Sequence, residues 1–266
     1  MCRLLGILAS KPLDPYPYIF EAKYCILRQA EYEKHEDGWG LCNIENGKIT
    51  FIAKSTKPLT ESVDIAQSLI KQIKTKQFIF FIRLASNPRN IEKGLLINLE
   101  ATQPFYYSDI AFAHNGSITI PDEILDRLFD FEIKPRSLND SEAYFLLFLK
   151  YFKEYNDVYT SLKKTEEFIN KVFKEIKTNK QYPFSSLNVI ISYKNRIYAY
   201  NRYNSKYKVS VKDKDREYYK MCFKADKEKF IISSEPIDDE NWNDLGDGKF
   251  IEAYLEDNEV RYKIID

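Results

Sequence analysis

The sequence predicts an α+β fold of many antiparallel strands and a few long helices, on three observations. Short β-rich apolar runs bounded by turn residues recur through the chain, Asn46-Gly47 is a strong hairpin signal, and two long central stretches repeat their apolar residues at helical spacing. Sheet stacked on sheet with helices outside is one arrangement that buries this much strand surface. No low-complexity linker or internal repeat marks a boundary, so residues 1–266 are read as one domain.

Residues 3–9 are expected as a buried strand and residues 18–32 as a helix. Residues 40–44 and 48–53 flank Asn46-Gly47, whose positions both suit positive φ, and are expected as a hairpin. Residues 61–74 read as a helix with Val63, Ala66, Ile70 and Ile73 on one face. Residues 78–84 form a buried strand, and residues 110–120 read as strand, turn, strand around Asn115-Gly116. Residues 140–152 and 158–177 are two amphipathic helices, the second carrying Val158, Leu162, Ile169, Val172, Phe173 and Ile176 along one side. The remainder reads as strands: 187–193 with 196–201 as a hairpin, then 209–211, 218–224, 230–233, 250–255 and 260–264.

Charge narrows the function classes. Forty basic residues balance forty acidic ones, without the basic excess expected of a nucleic-acid or anionic-membrane binder. The longest apolar runs, 78–82 and 144–149, fall far short of the roughly 20 residues of a membrane helix. No charged-then-apolar leader opens the chain. The expectation is a cytoplasmic protein acting on a small molecule or a protein partner, with no nucleic acid and no membrane. Cys2, Cys25, Cys42 and Cys222 form no C-x-x-C pair and are read as free thiols in a reducing compartment. With only His35 and His114 present, no metal site is expected. No phosphate-cradling glycine motif appears. In the lysine-rich C-terminal third, acids interleave at 212–217 and 226–229, the pattern of a solvated face.

Several positions could carry chemistry. Removal of Met1 would leave Cys2 with a thiol nucleophile and an α-amine base on one residue, an arrangement that needs no histidine. The same cysteine could equally be a small buried hydrophobe. Asn115-Gly116 could be a hairpin turn, an oxyanion hole, or both. Arg83 closes a buried strand, so it needs either a structural ion partner or a substrate carboxylate. Asn139 with Glu142 resembles a capping box at a helix start, where Asp140 could also face a cationic amine. His35-Glu36-Asp37-Gly38-Trp39-Gly40 reads as a constrained turn into a strand.

The order of these signals is more specific than any one of them. Met1-Cys2-Arg3-Leu4-Leu5-Gly6, His35-x-Asp37-Gly38-Trp39-Gly40, Arg83-x-Ala85-Ser86, Gln103-Pro104-Phe105, His114-Asn115-Gly116 and Asp140-Ser141-Glu142 resemble the class II glutamine amidotransferases. The stretch from Ser234-Glu235-Pro236 to Glu240 resembles a stand-alone branch that includes the γ-glutamyl amidase of ergothioneine biosynthesis. The chain departs from the family pattern at Asn87-Pro88, where His or Arg then Gly is common, and at Asn139, where Ser or Thr is usual.

The resemblance implies an N-terminal nucleophile hydrolase fold, a four-layer αββα sandwich of two antiparallel sheets between helical layers. It implies Cys2 as nucleophile, Asn115 and Gly116 as oxyanion hole, Arg83 for the glutamine α-carboxylate, Asp140 for its α-amine, and Ser86 beside the substrate. The implied activity is hydrolysis of glutamine or a γ-glutamyl amide through a thioester, releasing glutamate and ammonia or an amine, without metal or organic cofactor. The alternatives are a glutaminase subunit feeding a separate synthase partner, a catalytically silent regulatory module of the same fold, and a thiol redox protein. Length favours neither the subunit nor the independent hydrolase, and the resemblance of the Ser234-Glu235-Pro236 segment tilts the expectation toward a stand-alone enzyme.

Overall fold

The computed structural model describes residues 2–206 and 218–266. The chain opens with β1 (Arg3–Leu13), longer than the expected strand. A single π-helical turn at Pro17–Glu21 and then α1 (Ile26–Glu33) replace the one helix expected over 18–32. The chain leaves helical geometry at Ala22 (ψ 153°) and Cys25 (ψ 164°), and between them the Tyr24 N–H donates to the Ile237 carbonyl. A distant segment thus interrupts the helix, while Ile19, Cys25, Ile26 and Ala30 still bury into one core.

β2 (Trp39–Glu45) and β3 (Lys48–Ser55) form the expected hairpin, with Asn46 at φ 50° and Gly47 at φ 74°. After a 3₁₀ turn at Leu59–Glu61, α2 (Val63–Ile70) is shorter than expected but buries Ala66 and Ile70 as its spacing requires. β4 (Thr75–Ile82), α3 (Lys93–Leu96), β5 (Phe105–Tyr107) and β6 (Ile110–Asn115) follow.

The expectation of a second strand before residue 120 is corrected. Neither Asn115 nor Gly116 has positive φ, and among the described residues the only pairing between them and residue 120 is an isolated bridge from Ile118 to Phe184. Ser117 exchanges hydrogen bonds with Ser185, and Pro121 starts α4 (Pro121–Asp126). The two long helices stand as expected, α5 (Asp140–Tyr155) and α6 (Val158–Glu175). The remaining strands are β7 (Asn188–Tyr193), β8 (Arg196–Tyr200), β9 (Cys222–Ala225), β10 (Lys229–Ser233), β11 (Asn243–Asp244), β12 (Phe250–Glu256) and β13 (Glu259–Ile265). The strand expected over 209–211 and the acid-lysine run at 212–217 lie outside the described residues.

The strands form two antiparallel sheets, ordered β11-β9-β10-β1-β4-β2-β3 and β13-β12-β8-β7-β6-β5. Three cores define the layers. Leu4, Ile79, Phe81 and Ile232 of the first sheet meet Ala113, Ile190, Ala199 and Ile251 of the second. The outer face of the first sheet, with Leu5, Phe78 and Phe80, packs on α1 and α2. The outer face of the second, with Phe112 and Ile191, packs on α4, α5 and α6. This is the αββα sandwich. Strand alternation explains it, because successive side chains of β1 enter the inter-sheet core and the helix-side core in turn. No helix among the described residues is long and apolar enough to cross a membrane. All four cysteines are buried and free.

Candidate active site

β1 lies in the middle of its sheet, between β10 and β4, and its register fixes what stands in front of it. The pleat turns Cys2 toward the inter-sheet core and Arg3 toward the helices. Cys2 is buried, and its thiol donates to the Leu84 carbonyl at 3.6 Å. Burial pushes the thiol up from its ordinary value, Arg83 pulls it down, and Asp140 raises it further. Cys2 therefore lies within electrostatic reach of both the arginine and the aspartate singled out in the sequence.

Arg83 follows directly on β4. Its N–H donates to the Gly38 carbonyl at 2.9 Å, and its own carbonyl accepts the Asp37 N–H at 3.2 Å. The buried Asp37 carboxylate accepts the Ala85 N–H at 2.7 Å and pairs with Lys93 at 2.8 Å. The backbone around Arg83 is thus clamped by the turn that precedes β2. The guanidinium is buried, and its Nη1 donates to the Leu96 carbonyl of α3 at 2.8 Å, where a carboxylate partner would have been the simpler expectation.

Asp140 opens α5. Its Oδ1 accepts from the Ser86 hydroxyl and its Oδ2 from the Ile118 N–H, both at 2.7 Å. That pair of bonds ties the segment after β4, the segment after β6 and the start of α5 together, and so joins Ser86, Asp140 and the Asn115-Gly116 region. The expected capping box is corrected. Asn139 Oδ1 caps by accepting the Ser141 N–H at 2.9 Å, and its Nδ2 donates to the Ala101 carbonyl at 2.6 Å. Glu142 does not reach back to Asn139, because its carboxylate is taken by the Arg136 N–H and by the Ser137 N–H and hydroxyl.

Asn115 ends β6 opposite Asn188. Its Oδ1 is buried with no hydrogen-bond partner among the described residues. Gly116 is required by close approach rather than by a turn, since a Cβ there would stand 2.1 Å from the Ser186 carbonyl oxygen. His114 supports both. Its Nε2 lies 2.9 Å from the same Ser186 carbonyl, and its Nδ1 lies 2.9 Å from the Ser141 hydroxyl. A carbonyl only accepts, so Nε2 carries the proton and Nδ1 accepts from Ser141. Burial lowers the imidazole pKa and keeps the ring neutral. Gln103 brackets the His114 peptide, accepting its N–H at 2.6 Å and donating to its carbonyl at 3.2 Å.

The six residues singled out from sequence thus occupy one end of the sandwich. Asp37, Gln103, His114, Ser141 and Ser186 were not given roles there, although four of them stand in or beside the quoted motifs. Their signal is polarity in runs that burial would otherwise make apolar. No cluster of His, Cys, Asp or Glu side chains among the described residues could hold a metal ion.

A family model described as "Glutamine amidotransferases class-II" matches residues 1–260. No curated protein matches the chain in sequence. Three solved structures share the fold at 14% identity, each over 98% of this chain. A glutamine aminotransferase class-II domain protein from Silicibacter pomeroyi is covered over 98% of its length at a TM-score of 0.61. Glutamine phosphoribosylpyrophosphate amidotransferase from B. subtilis, complexed with ADP and GMP, is covered over 49% at 0.62. An allosteric regulatory enzyme of purine biosynthesis is covered over 48% at 0.63. The chain spans about half the length of the last two.

Proposed function

The chain belongs to the class II glutamine amidotransferases, whose chemistry is hydrolysis or transfer of the glutamine side-chain amide, and from that premise we propose that it is an N-terminal-cysteine amidohydrolase of glutamine or a γ-glutamyl amide. With Met1 removed, the Cys2 thiol attacks the side-chain amide carbon. A thiol raised by burial is mostly protonated at neutral pH and needs a base. The Cys2 α-amine, of ordinary pKa about 8, takes the proton directly or through a water and returns it to the leaving nitrogen.

The Asn115 amide N–H and the Gly116 backbone N–H hold the oxyanion. The Asn115 Oδ1, without a partner among the described residues, is left to accept from the Cys2 α-amine. Arg83 exchanges the Leu96 carbonyl for the substrate α-carboxylate. Asp140 receives the α-ammonium; its oxygens already accept one bond each and retain lone pairs, while Ser86 fixes their direction. Water then hydrolyses the thioester.

The observation that carries this reading is one buried thiol within electrostatic reach of Arg83 and Asp140 at a single sheet end. The γ-glutamyl amide reading draws support from the Ser234-Glu235 segment, which is built onto the nucleophile strand. Ser234 Oγ accepts the Leu4 N–H and the Ser234 N–H donates to the Leu4 carbonyl, both at 3.0 Å, and Glu235 pairs with Arg3.

The experiment is glutamate release by the purified, Met1-processed protein, from glutamine and from larger γ-glutamyl amides. Cys2→Ala is expected to abolish turnover while melting like the parent, and diazo-oxo-norleucine is expected to label Cys2 one to one. Retained turnover in Cys2→Ala removes the cysteine from the mechanism, and absent labelling favours a silent module. Turnover that appears only with an added synthase marks a subunit rather than a stand-alone enzyme.

A further inference from the structure

We propose that Arg89 is the positioning residue of the α-amine subsite, and that it holds Asp140 in the direction in which it meets the substrate's ammonium. The proposal rests on the role given to Asp140 above and deepens it. It also gives work to Asn87-Pro88, the stretch where the chain departs from the family pattern.

Residues 83–92 follow β4 as neither helix nor strand, so no regular ladder of backbone bonds sets the place of Ser86. Side chains do this instead. Asn87 closes a turn on itself: its Nδ2 donates to the Ile91 carbonyl at 2.7 Å and its Oδ1 accepts the Ile91 N–H at 3.1 Å. Within that turn the Asn90 N–H donates to the Asn87 carbonyl at 3.2 Å, with Asn90 at φ 53°. Lys180 Nζ donates to the Pro88 carbonyl at 2.7 Å. Arg89 stands inside this fixed turn, yet its side chain is only 7% exposed.

All three nitrogens of its guanidinium are engaged. Nε donates to Asp122 Oδ1 at 2.7 Å, Nη2 lies 2.6 Å from the same oxygen, and Nη1 donates to the Leu138 carbonyl at 2.6 Å. Asp122 lies in the first turn of α4, shortly after Ile118, and Leu138 shortly precedes Asp140. Arg89 therefore joins the stretches 86–89, 118–122 and 138–140. The buried Asp140 carboxylate joins the same three stretches through the Ser86 hydroxyl and the Ile118 N–H. One junction is spanned twice, by a carboxylate at the site and by a guanidinium beside it.

The two Asp140 oxygens each accept one bond, so the direction of their remaining lone pairs follows from how Ser86, Ile118 and the start of α5 meet. A charge-assisted bond to an ammonium depends on that direction. An ion pair serving stability alone contributes little and needs no contact next to Asp140. A rigid planar fork on two segments at once fixes the spacing between them, which a flexible lysine does not do.

The test pairs glutamine with glutaramate, the same amide without the α-amine (or the preferred γ-glutamyl amide with its glutaryl counterpart). The unaltered protein is expected to prefer glutamine by at least about tenfold in kcat/KM, as a hydrogen bond between charged groups provides. Arg89→Gln is expected to raise KM for glutamine about tenfold and to leave kcat within about twofold. Glutaramate should be unaffected, read as a substrate or, failing turnover, as a competitive inhibitor. In an Asp140→Asn background, Arg89→Gln should add no further loss. Asp122→Asn, at a side chain 63% exposed, weakens the same fork from the surface. It should move KM for glutamine the same way by about threefold, and it carries the test if Arg89→Gln melts well below the parent. Equal losses on glutamine and glutaramate, or none on either, overturn the positioning role and leave the amidase intact. An unaltered protein with no preference for glutamine overturns the Asp140 assignment as well. Absence of turnover on every amide, with Cys2 unlabelled by diazo-oxo-norleucine, overturns the amidase reading and this role with it.

Discussion

His114 and Asn115 are neighbours on one strand with opposite work. The histidine is a neutral spacer whose tautomer is dictated by the Ser186 carbonyl, and its ring holds that carbonyl and the Ser141 hydroxyl in place. His114→Phe keeps the bulk but leaves both groups without a partner, and should cost roughly 2–4 kcal/mol of stability by urea unfolding. The asparagine is part of the proposed oxyanion hole. Asn115→Ala should lower kcat for glutamate release about 10²–10³-fold, with KM moved far less. The residues proposed to contact the reacting atoms could be singled out in the sequence because chemistry limits their identity. Asp37, Gln103 and His114 were not, since their work is to hold backbone, and which peptide a buried side chain will hold depends on the folded path of the chain.

At the scale of elements, local information sufficed where local forces decide. The Asn46-Gly47 hairpin and the helices α5 and α6 follow from turn conformation and apolar spacing. It failed where a distant partner intervenes. The break before α1 is held by Ile237, far along the chain. Asn115-Gly116 mimics a hairpin turn, yet its glycine answers to the Ser186 carbonyl. Asn139 was read rightly as an N-cap, but its second bond, to Ala101, has no sequence signal. Asn139→Ala removes both and should cost about 1–2 kcal/mol in thermal unfolding, the larger end reflecting the orphaned Ala101 carbonyl.

For the whole molecule, the sheet stacking was foreseen as one option from composition and as an expectation from resemblance; the strand order was not, because pairing partners far apart in sequence leave no local trace. One titration reports on the assembled sandwich. Lys54 on β3 of the first sheet lies 5.9 Å from the Phe105 ring and 5.7 Å from the Tyr106 ring on β5 of the second. Burial lowers its pKa to about 8. The unfolded lysine keeps its proton to about 10.4. Between these values the unfolded chain binds more protons than the folded one, so the penalty present below pH 8 is relieved as pH rises. Unfolding free energy measured by urea titration from pH 8 to 10 should carry this upward contribution, and Lys54→Met should remove it.

The bond from Arg83 to Leu96 sets the terms on which any ligand enters. The buried Arg83 guanidinium donates to a backbone oxygen, so the cation is not stranded. On the proposed role of Arg83, recognition is a substitution instead of a simple addition: a carboxylate replaces an internal surrogate. With Arg83 in the proposed carboxylate-binding role, a full negative charge gains most from that exchange, and amides that lack a free α-carboxylate are expected to be poorer substrates in the glutamate-release assay.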